Sequence, residues 1–585
     1  MNYDKVDPAL AAAFDSFKRE GRAALASHVG VVGVVSVERT ARPPRVVVFV
    51  DCDDDGDGLA GLEDREVTLN AGEGRIRTGI VSLDSLERLS EQESVRRIVP
   101  ARPLRLHMDE ASAKTNLPAF RNGTGLSGQG VVVGIVDSGI ESTHEAFVGR
   151  ILRVWDQTLP GPGVAEGAYG AELTGDLLQV SQDKVGHGTH VAGIAAGADE
   201  TYGGVAPGAE LVVVKTDLLD AHVADGVRYV FRVASELGRP AVVNLSLGGQ
   251  SDAHDGTDPM SGVIDAEVGP GRIVCCSAGN EGVDNIHAQV EVGQDRSRRL
   301  SCSMSTWSTG APAPVAILNG WYGGGDEMAV AVVSPSGAQT PFQPTFADES
   351  PVRTYSLPEG SIRVTTPGPD PANGDHNFLV EILPAPTQSV GAAESKPGSW
   401  GLRLRGDHVT TAGRVDVWSV DPTVAQFTGR AVKDSLKVGS PGVASKAVTV
   451  ASYTTRVQWV DVMGHPHEAG LELDDISDFS SEGPRRDGAE KPDVTAPGAM
   501  IVSSMSVHSG VPLDWLIDDR NTIKAGTSMA SPFVAGLVAL LLERDPSLDP
   551  DGVKSMLRAA CAVPGQAAGS FDPKWGYGLV DAGKL

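Results

Sequence analysis

The sequence predicts an α/β protein: a doubly wound parallel sheet, interrupted by an inserted β-sandwich and preceded by a small α+β domain. Three observations lead to this prediction. Apolar, strand-like runs alternate with helical segments from about residue 128, short strands between Gly, Pro and Asp turns replace them near residue 283, and the alternation returns near residue 439. With 585 residues, the chain is also too long for a single core.

Residues 1–105 are predicted to form the small α+β domain. Short apolar runs surround one helical stretch there, and such runs pair as an antiparallel sheet. In order, the segments are VVGVVSV, RVVVFVD, SLDSLERLSEQESV and VRRIVPA.

An acidic motif, DDDGDGLAGLED, lies inside this first domain. Its Asp53, Asp55, Asp57 and Asp64 occupy positions 1, 3, 5 and 12 of a calcium-binding loop, with Gly58 at position 6. A strand precedes the motif, no clear helix follows it, and Asp replaces the usual Glu at position 12. We therefore favour a solvated acidic turn, with a calcium loop as the alternative.

Residues 106–282 and 439–585 are predicted to form the two parts of the parallel-sheet domain. Continuous apolar strands indicate a sheet covered on both faces, and the helices between them indicate a doubly wound layer. The strands of the first part are VVVGIVD, AELVVVK and AVVNLSLGG, and its helices are HGTHVAGIAAG and DGVRYVFRVASELG. The second part contributes GVASKAVTVASY, KPDVTAPG and the helix in SPFVAGLVALLLERD.

Residues 283–438 are predicted to be a separate β domain inserted into the parallel-sheet domain. The spacing of the strands predicts a β-sandwich of roughly jelly-roll type. The strand-like segments are PVAILNGWYG, MAVAVVSPSG, SIRVTTP, HNFLVEILPA, SWGLRLRG and GRVDVWSV.

Composition narrows the class of function. A formal net charge of −27 and a pI near 4.8 disfavour binding to nucleic acid or to anionic membranes. No apolar run is long enough to cross a membrane and the N-terminus has no secretory signal, so we expect a cytoplasmic protein and leave export by a non-classical route open. The five cysteines, an odd and scattered set, predict buried thiols in a reducing compartment.

Three polar residues lie at the ends of predicted elements, where chemistry commonly resides. Asp137 ends a strand at the carboxyl edge of the predicted sheet, although a turn-capping aspartate fits it equally well. His187 begins a helix, and its alternatives are a structural histidine or a metal pair with His190. Ser528 starts a helix whose positive end favours developing negative charge, with Pro532 tolerated in the first turn. An ordinary N-cap serine is the alternative for Ser528.

Six ordered motifs remove these ambiguities, because together they resemble the subtilisin-like serine proteases, or subtilases. The family's order, Asp before His before Ser, is kept. The motifs are DSGIESTHEAF (137–147), HGTHVAG (187–193), NLSLGG (244–249), SAGNEG (277–282), KPDVTAPG (491–498) and GTSMASP (526–532). The resemblance covers roughly residues 110–282 and 439–585.

The resemblance implies a serine endopeptidase with a catalytic triad. His187 would take the proton of Ser528 and pass it to the leaving amine, while Asp137 would fix the imidazole tautomer. Asn280 matches the family's side-chain oxyanion donor and would act together with the backbone N–H of Ser528. No cofactor is implied for the chemistry, although structural calcium is common in the family.

The resemblance also implies that an extended peptide or protein segment binds along an edge strand. The implied substrate-binding residues are Ser246, Leu247, Gly248, Gly249, Ser277, Ala278 and Gly279. The insertion directly follows the oxyanion segment, where the family normally builds the far wall of the specificity pocket, so side-chain preference does not transfer. Some subtilases, including bacterial spore-germination proteases, have a similar jelly-roll-like insert. We expect this one to stabilise the fold or to control access, with substrate docking as the alternative.

Residues 1–105 resemble a subtilase prodomain, which assists folding and fills the cleft with its C-terminal segment as an intramolecular inhibitor. Self-cleavage is then expected around residues 100–110, and a permanent N-terminal domain is the alternative. A second hypothesis for the whole chain is a catalytically silent or prodomain-inhibited subtilase that acts as a binding or regulatory protein. The intact triad counts against the silent form.

Overall fold

The computed structural model describes residues 1–21, 24–25, 34–36, 44–52, 66–70, 75–101, 105–106, 113–304, 315–346, 350–384 and 399–585. Within these ranges, no helix combines the length and the apolar character needed to cross a membrane. All five cysteines are buried thiols outside any disulfide bond, as the sequence predicts.

An antiparallel sheet and one long helix make up the N-terminal domain. Strand β2 pairs with β1, β4 and β5, and β3 adds to β4. The elements are α1 (Pro8–Glu20), β1 (Val34–Ser36), β2 (Arg45–Cys52), β3 (Val67–Leu69), β4 (Ile76–Ser82), α2 (Leu86–Ser90) and β5 (Val95–Pro100), followed by the short β6 (Arg105–Leu106).

Helix α1 is absent from the sequence-based prediction, although both of its ends have ordinary signals. The side chain of Asp7 accepts the N–H of Ala9 at 2.9 Å, and Pro8 takes the first helical position. Gly21 follows the last turn with a φ of 76°, a conformation that glycine adopts at little cost. Many residues of α1 are small alanines, so the contrast between apolar and polar positions that marks a helix is weak in this sequence.

A ten-stranded sheet forms the core of the larger domain, and its inner strands run parallel. Its first part and the flanking elements are α3 (Leu117–Thr124), β7 (Val132–Asp137), β8 (Ile151–Asp156), β9 (Ala171–Leu173), α4 (His187–Ala196), β10 (Glu210–Lys215), α5 (Asp220–Glu236), β11 (Ala241–Leu245), β12 (Leu247–Gly248), α6 (Pro259–Glu267) and β13 (Arg272–Ser277). The second part contains β24 (Val448–Thr454), β25 (Gln458–Val460), β26 (Pro466–Glu468), β27 (Val494–Ala499), β28 (Ile501–Ser504), β29 (Asn521–Lys524), α7 (Thr527–Arg544), α8 (Pro550–Ala559), β30 (Cys561–Ala562) and β31 (Leu579–Val580). The strand order is β30-β31-β27-β24-β13-β11-β7-β10-β8-β9.

Both faces of this sheet are covered, which explains why its strands are apolar throughout. Alternate residues of β7 point to opposite faces. Val133 and Ile135 pack in one cluster with α4 and α7, whereas Val132 and Val136 pack in a second cluster with α5 and α6. The doubly wound α/β core predicted from the sequence is confirmed.

Between β13 and β24 the chain forms two antiparallel sheets that share one apolar core. Their order is β14-β22-β16-β20-β19-β18 in the larger sheet and β17-β21-β15-β23 in the smaller one. The strands are β14 (His287–Glu291), β15 (Ser297–Met304), β16 (Ala316–Tyr322), β17 (Glu327–Val333), β18 (Val352–Leu357), β19 (Gly360–Thr365), β20 (His376–Pro384), β21 (Ser399–His408), β22 (Arg414–Ser419) and β23 (Ala425–Thr428). Two sheets around one core make this insert a β-sandwich, and its jelly-roll topology stays a prediction.

The N-terminal domain packs against the inserted sandwich as well as against the parallel-sheet domain. Leu10 and Phe14 of α1 belong to one apolar cluster with Ile317, Val352 and Leu379 of the insert. Because these side chains are buried from both sides, the two domains share part of one hydrophobic core.

A buried ion pair joins the same two domains. The Arg97 guanidinium contacts the Asp370 carboxylate, with 8% and 6% of the two side chains exposed. Burial raises the pKa of Asp370 and the charge of Arg97 opposes that rise. Each charge therefore depends on the other, since an unpaired buried charge is strongly unfavourable.

We expect Arg97→Met to destabilise the protein by about 3–5 kcal/mol, because it leaves Asp370 buried without its partner. The aliphatic part of the side chain is kept, so the loss reports the charge rather than the packing. Urea unfolding followed by tryptophan fluorescence measures the change. Lys18→Met, which breaks the exposed pair with Asp84, is the control, with an expected loss of about 1 kcal/mol or less. Equal effects of the two variants would contradict the prediction.

Candidate active site

Asp137 and His187 meet at the carboxyl edge of the parallel sheet. Asp137 is the last residue of β7 and His187 is the first residue of α4. The Nδ1 atom of His187 lies 2.7 Å from Oδ1 and 2.9 Å from Oδ2 of Asp137. Neither side chain has exposed surface. With Nδ1–H donated to the carboxylate, Nε2 becomes the basic nitrogen of the ring.

A glycine next to His187 makes this close approach feasible. A Cβ atom on Gly188 would lie 2.2 Å from the carbonyl oxygen of Gly139, in the turn that follows Asp137. Any other residue would therefore push the start of α4 away from the turn.

Ser528 is the second residue of α7 and lies against the substrate-strand motif. Its hydroxyl donates to the carbonyl oxygen of Ser246 at 3.0 Å, and the Ser246 hydroxyl donates to the Ser528 carbonyl oxygen at 2.6 Å. In a regular helix, the Ser528 carbonyl oxygen would accept the N–H of the residue four positions later, which is Pro532. Proline has no N–H, so Ser246 satisfies the carbonyl instead. Pro532 thus lies inside the helix as its sixth residue, and its predicted place in the first turn is wrong.

Asn280 is held by the residue before Ser528. Its Oδ1 atom accepts the backbone N–H of Thr527 at 2.9 Å and the Thr527 hydroxyl at 3.0 Å. Because the backbone N–H can only donate, the oxygen of the amide must face Thr527. The NH₂ group then points away from Thr527 and is available to an acceptor. The first amides of α7, including that of Ser528, add unpaired helical N–H groups at the same end.

The predicted substrate strand lies beside these residues. Strand β12 pairs antiparallel with β6, with Leu247 opposite Leu106 and Gly248 opposite Arg105. Gly249 continues this edge and donates its N–H to the carbonyl oxygen of Ser440, just after the insert. The structure also brings Ser277, Ala278 and Gly279 to this place: Ser277 Oγ lies 3.5 Å from the Leu247 carbonyl oxygen, and Gly279 N donates to Thr527 Oγ1 at 3.1 Å.

The metal alternatives receive no support from the described residues. His190 is fully buried, its Nε2 lies 3.2 Å from the Thr522 carbonyl oxygen, and burial lowers its pKa well below the ordinary value. It is therefore a neutral structural histidine. In the described part of the chain, no three His, Cys, Asp or Glu side chains are grouped so as to hold a metal ion. The predicted calcium loop, with Asp53, Asp55, Asp57 and Asp64, lies outside the described residues.

Sequence reasoning missed Thr527, which fixes the orientation of Asn280 through two hydrogen bonds. Its position next to Ser528 in GTSMASP was visible, but a threonine at a helix start is first read as a cap. The structure shows that its partner is 247 residues away in the sequence.

Comparison with known proteins matches this chain to proteases. The Serine protease AprX of Bacillus subtilis is 35% identical over 167 residues, which cover 27% of this chain and 35% of that protein. The Minor extracellular protease Vpr of the same organism is 24% identical over 462 residues, which cover 74% of this chain and 48% of Vpr. The matches thus span about a third to a half of the length of these two relatives.

Among solved structures, the Clostridium perfringens CspB protease superposes with a TM-score of 0.65 at 23% identity. The match covers 81% of this chain and 98% of that one, and it shows a common fold. The profile of the Subtilase family matches residues 128–362 and 387–578, which is more than half of the chain. This chain belongs to the subtilase family.

Proposed function

We propose that this protein is a serine endopeptidase that acts through Asp137, His187 and Ser528. The observation that carries the proposal is the buried contact of 2.7 Å between the Asp137 carboxylate and His187 Nδ1, at the sheet edge where Ser528 begins its helix. A histidine oriented in this way is a general base through Nε2, and a serine hydroxyl needs such a base to become a nucleophile. The family and the names of the relatives agree with this chemistry.

In this mechanism Ser528 Oγ attacks the carbonyl carbon of the scissile peptide bond while its proton passes to His187. Asp137 stabilises the imidazolium that forms, and His187 then donates the proton to the amine that leaves as the C–N bond breaks. Water, giving its proton to His187, attacks the remaining acyl ester, and Ser528 regains the proton as the acid product leaves. The oxyanion of the tetrahedral intermediate would accept hydrogen bonds from the NH₂ group of Asn280 and from the backbone N–H of Ser528. Both donors are fixed before the reaction, so little reorganisation opposes the charge that develops.

The proposed substrate is a peptide segment that adds to β12 as an antiparallel strand. Within the chain itself, Arg105 and Leu106 of β6 already pair with β12 in this antiparallel manner. Main-chain pairing of this kind is largely independent of side chains, so specificity must come from the pockets beside it.

We propose that residues 1–106 act as an intramolecular inhibitor and that the chain cuts itself after this segment. The inhibitory strand ends beside the nucleophile, because Ser528 Oγ is bonded to Ser246, the residue before β12. Asp137, His187 and Ser528 have no exposed surface in this state, as expected of a site that is covered. The remaining part of the predicted cleavage region, residues 102–104 and 107–110, lies outside the described residues.

The second candidate function is a latent subtilase in which the N-terminal domain stays bound and regulates activity. The shared apolar cluster between α1 and the insert favours it, since a cut between the first and second domains would leave those contacts intact. In this version the protein would be inactive until a further event removes the inhibitor.

A fluorophosphonate probe tests the nucleophile. We expect it to label the processed protein on Ser528, and Ser528→Ala to abolish both labelling and self-cleavage, because alanine has no hydroxyl for His187 to activate. Ser531→Ala is the matched control: this serine is also buried on α7 and hydrogen-bonds Asn244 Oδ1 at 2.7 Å, and its loss should leave labelling intact. Folded, processed wild-type protein that stays unlabelled would contradict the enzymatic proposal.

The oxyanion role predicts that Asn280→Ala lowers kcat by about 10²–10³-fold, as known for the oxyanion asparagine of subtilisin itself, with little change in KM. The reason is that the donated hydrogen bond is strongest in the transition state. Hydrolysis of a fluorogenic peptide by the folded variant measures the loss. Thr527→Val, which removes one of the two bonds that hold the amide, should give an intermediate loss; an unchanged kcat in Asn280→Ala would reject the assignment.

The register of β6 predicts where the chain cuts itself. Leu106 is opposite Leu247, and the next residue along that strand, Ser246, accepts the hydroxyl of Ser528. We expect cleavage just beyond β6, within the predicted region around residues 100–110. Intact-mass measurement and N-terminal sequencing of purified wild-type protein test this, and Ser528→Ala should remain full length. A cut in wild-type protein at a distant bond would refute the register.

A buried carboxylate at the inhibitor interface predicts a pH dependence. Asp225 on α5 accepts the Thr78 hydroxyl at 2.5 Å and the Asn70 amide at 3.1 Å from the N-terminal domain, and the Tyr169 hydroxyl at 2.8 Å. Its pKa rises from an ordinary 3.8 to about 6, mainly through burial and against the opposing charge of Arg228. Between pH 3.8 and about pH 6, Asp225 is therefore protonated while the N-terminal domain is bound and ionised once the domain has left.

The sign follows from linkage: a raised pKa in the bound state stabilises that state at low pH. The cleaved N-terminal fragment should bind more tightly near pH 4 than at pH 7, by up to about 10²-fold. Size-exclusion chromatography of the processed protein at the two pH values measures retention of the fragment. Asp225→Asn cannot ionise and should lose this difference, whereas an unchanged pH dependence in that variant would assign the effect to other groups.

A further inference from the structure

A second buried carboxylate, that of Asp183, lies next to the proposed triad. Asp183 has no exposed surface and lies four residues before His187. Its Oδ1 atom accepts the hydroxyl of Ser138 and the backbone N–H of Gly186, both at 2.8 Å. Its Oδ2 atom accepts the N–H and the hydroxyl of Thr189 at 2.9 and 2.7 Å. Four donors thus satisfy one buried carboxylate.

One pair of these bonds reaches the strand that ends in Asp137. Ser138 donates its hydroxyl to Asp183, accepts the N–H of Gly188 at 3.0 Å on the same oxygen, and donates its own N–H to Asp137 Oδ1 at 2.6 Å. Ser138 therefore touches the aspartate of the triad, the turn of α4 that holds the histidine, and Asp183. Its hydroxyl proton must point to Asp183, because a carboxylate only accepts.

The other bonds hold the beginning of α4. Gly186 is the N-cap of this helix and has no side chain with which to cap it. Asp183 supplies the missing acceptor for Thr189 N, which the first turn of a helix leaves unpaired. The Thr189 hydroxyl also accepts the N–H of Glu141 at 2.9 Å, so a second link returns to the segment after β7.

We propose that Asp183 is a positioning residue for the catalytic pair. The inference rests on the proposed function of the triad. The Asp137–His187 bond joins two elements 50 positions apart, and Asp183 is the group that ties both of them together. A displacement of about 1 Å at a reacting group is enough to reduce a rate about 10²-fold.

Asp183→Asn tests the proposal, because the amide has nearly the same shape but cannot accept all four hydrogen bonds. The reaction of a fluorophosphonate with processed protein, followed as a function of probe concentration, gives the inactivation rate at saturation and the binding constant separately. We expect the saturating rate to fall by about 10–10²-fold with the binding constant unchanged, since the fully buried Asp183 has no surface with which to contact the probe.

Two further variants test the link itself. Ser138→Ala removes the hydroxyl that joins Asp183 to the end of β7 and to the N–H of Gly188, while the N–H bond from residue 138 to Asp137 is kept. The saturating rate should therefore fall with the binding constant unchanged. Asp549→Asn removes a capping aspartate from the distant helix α8, where Asp549 accepts the Gly552 N–H at 2.8 Å, and should change neither. If Asp183→Asn does not fold, Ser138→Ala decides the positioning role by itself.

The inference is overturned if folded Asp183→Asn, or Ser138→Ala in its place, reacts at the wild-type saturating rate. A variant that loses thermal stability but keeps the wild-type rate would also overturn the inference, because a purely structural role of Asp183 predicts that result. Failure of the proposed function is a different result: the wild-type protein itself would not react with the probe.

Discussion

The contact between Asp137 and His187 sets conditions that much of the surrounding structure meets. It joins the end of a central strand to the start of a helix that arrives from the other side of a long loop. The approach requires glycine at position 188, where a Cβ atom would lie 2.2 Å from the Gly139 carbonyl oxygen. It also requires that two carboxylates be buried within one small region. Hydrogen-bond donors satisfy both: Asp137 accepts the Ser138 N–H and faces the His187 ring, and Asp183 accepts two backbone N–H groups and two hydroxyls.

The same requirement explains why Ser528 comes from a different part of the chain. Helix α7 packs against the same face of the sheet as α4, so the first residues of both helices are found at one sheet edge. Pro532 then has a specific consequence, since it frees the Ser528 carbonyl to bind Ser246. The proposed nucleophile and the substrate strand are therefore held to each other by two hydrogen bonds in opposite directions. Motion of one without the other would break both.

Much of the core fold was predictable, because its signals are local. The apolar runs of β7, β10 and β11 need only a window of a few residues, and the six motifs place the candidate residues in order. The Asp183 network was not predictable, since an aspartate before a helix has many ordinary uses and its partner Ser138 is 45 positions away. The ion pair of Arg97 and Asp370 spans 273 positions. Neither residue has a neighbour in sequence that signals a partner, so only the folded chain reveals the pair.

The position of the insert links its mechanics to the proposed oxyanion site. The insert leaves the core just after Gly282, two residues beyond Asn280, and returns at Lys437. These two points are adjacent, because the fully buried Lys437 Nζ donates to the Gly282 carbonyl oxygen at 2.7 Å. A domain whose two ends meet can be added without stretching its host. The cost is that the ends cannot move apart independently of the segment that holds Asn280.

The N-terminal domain contacts both the sandwich and the edge next to Ser246, since α1 packs on the insert while β6 lies along β12. One contact holds the domain against the insert, and the other occupies the edge where the proposed substrate would bind. For the proposed inhibitor, removing β6 from this edge leaves the domain attached through the insert, so release of the cleft and release of the domain would be separate events.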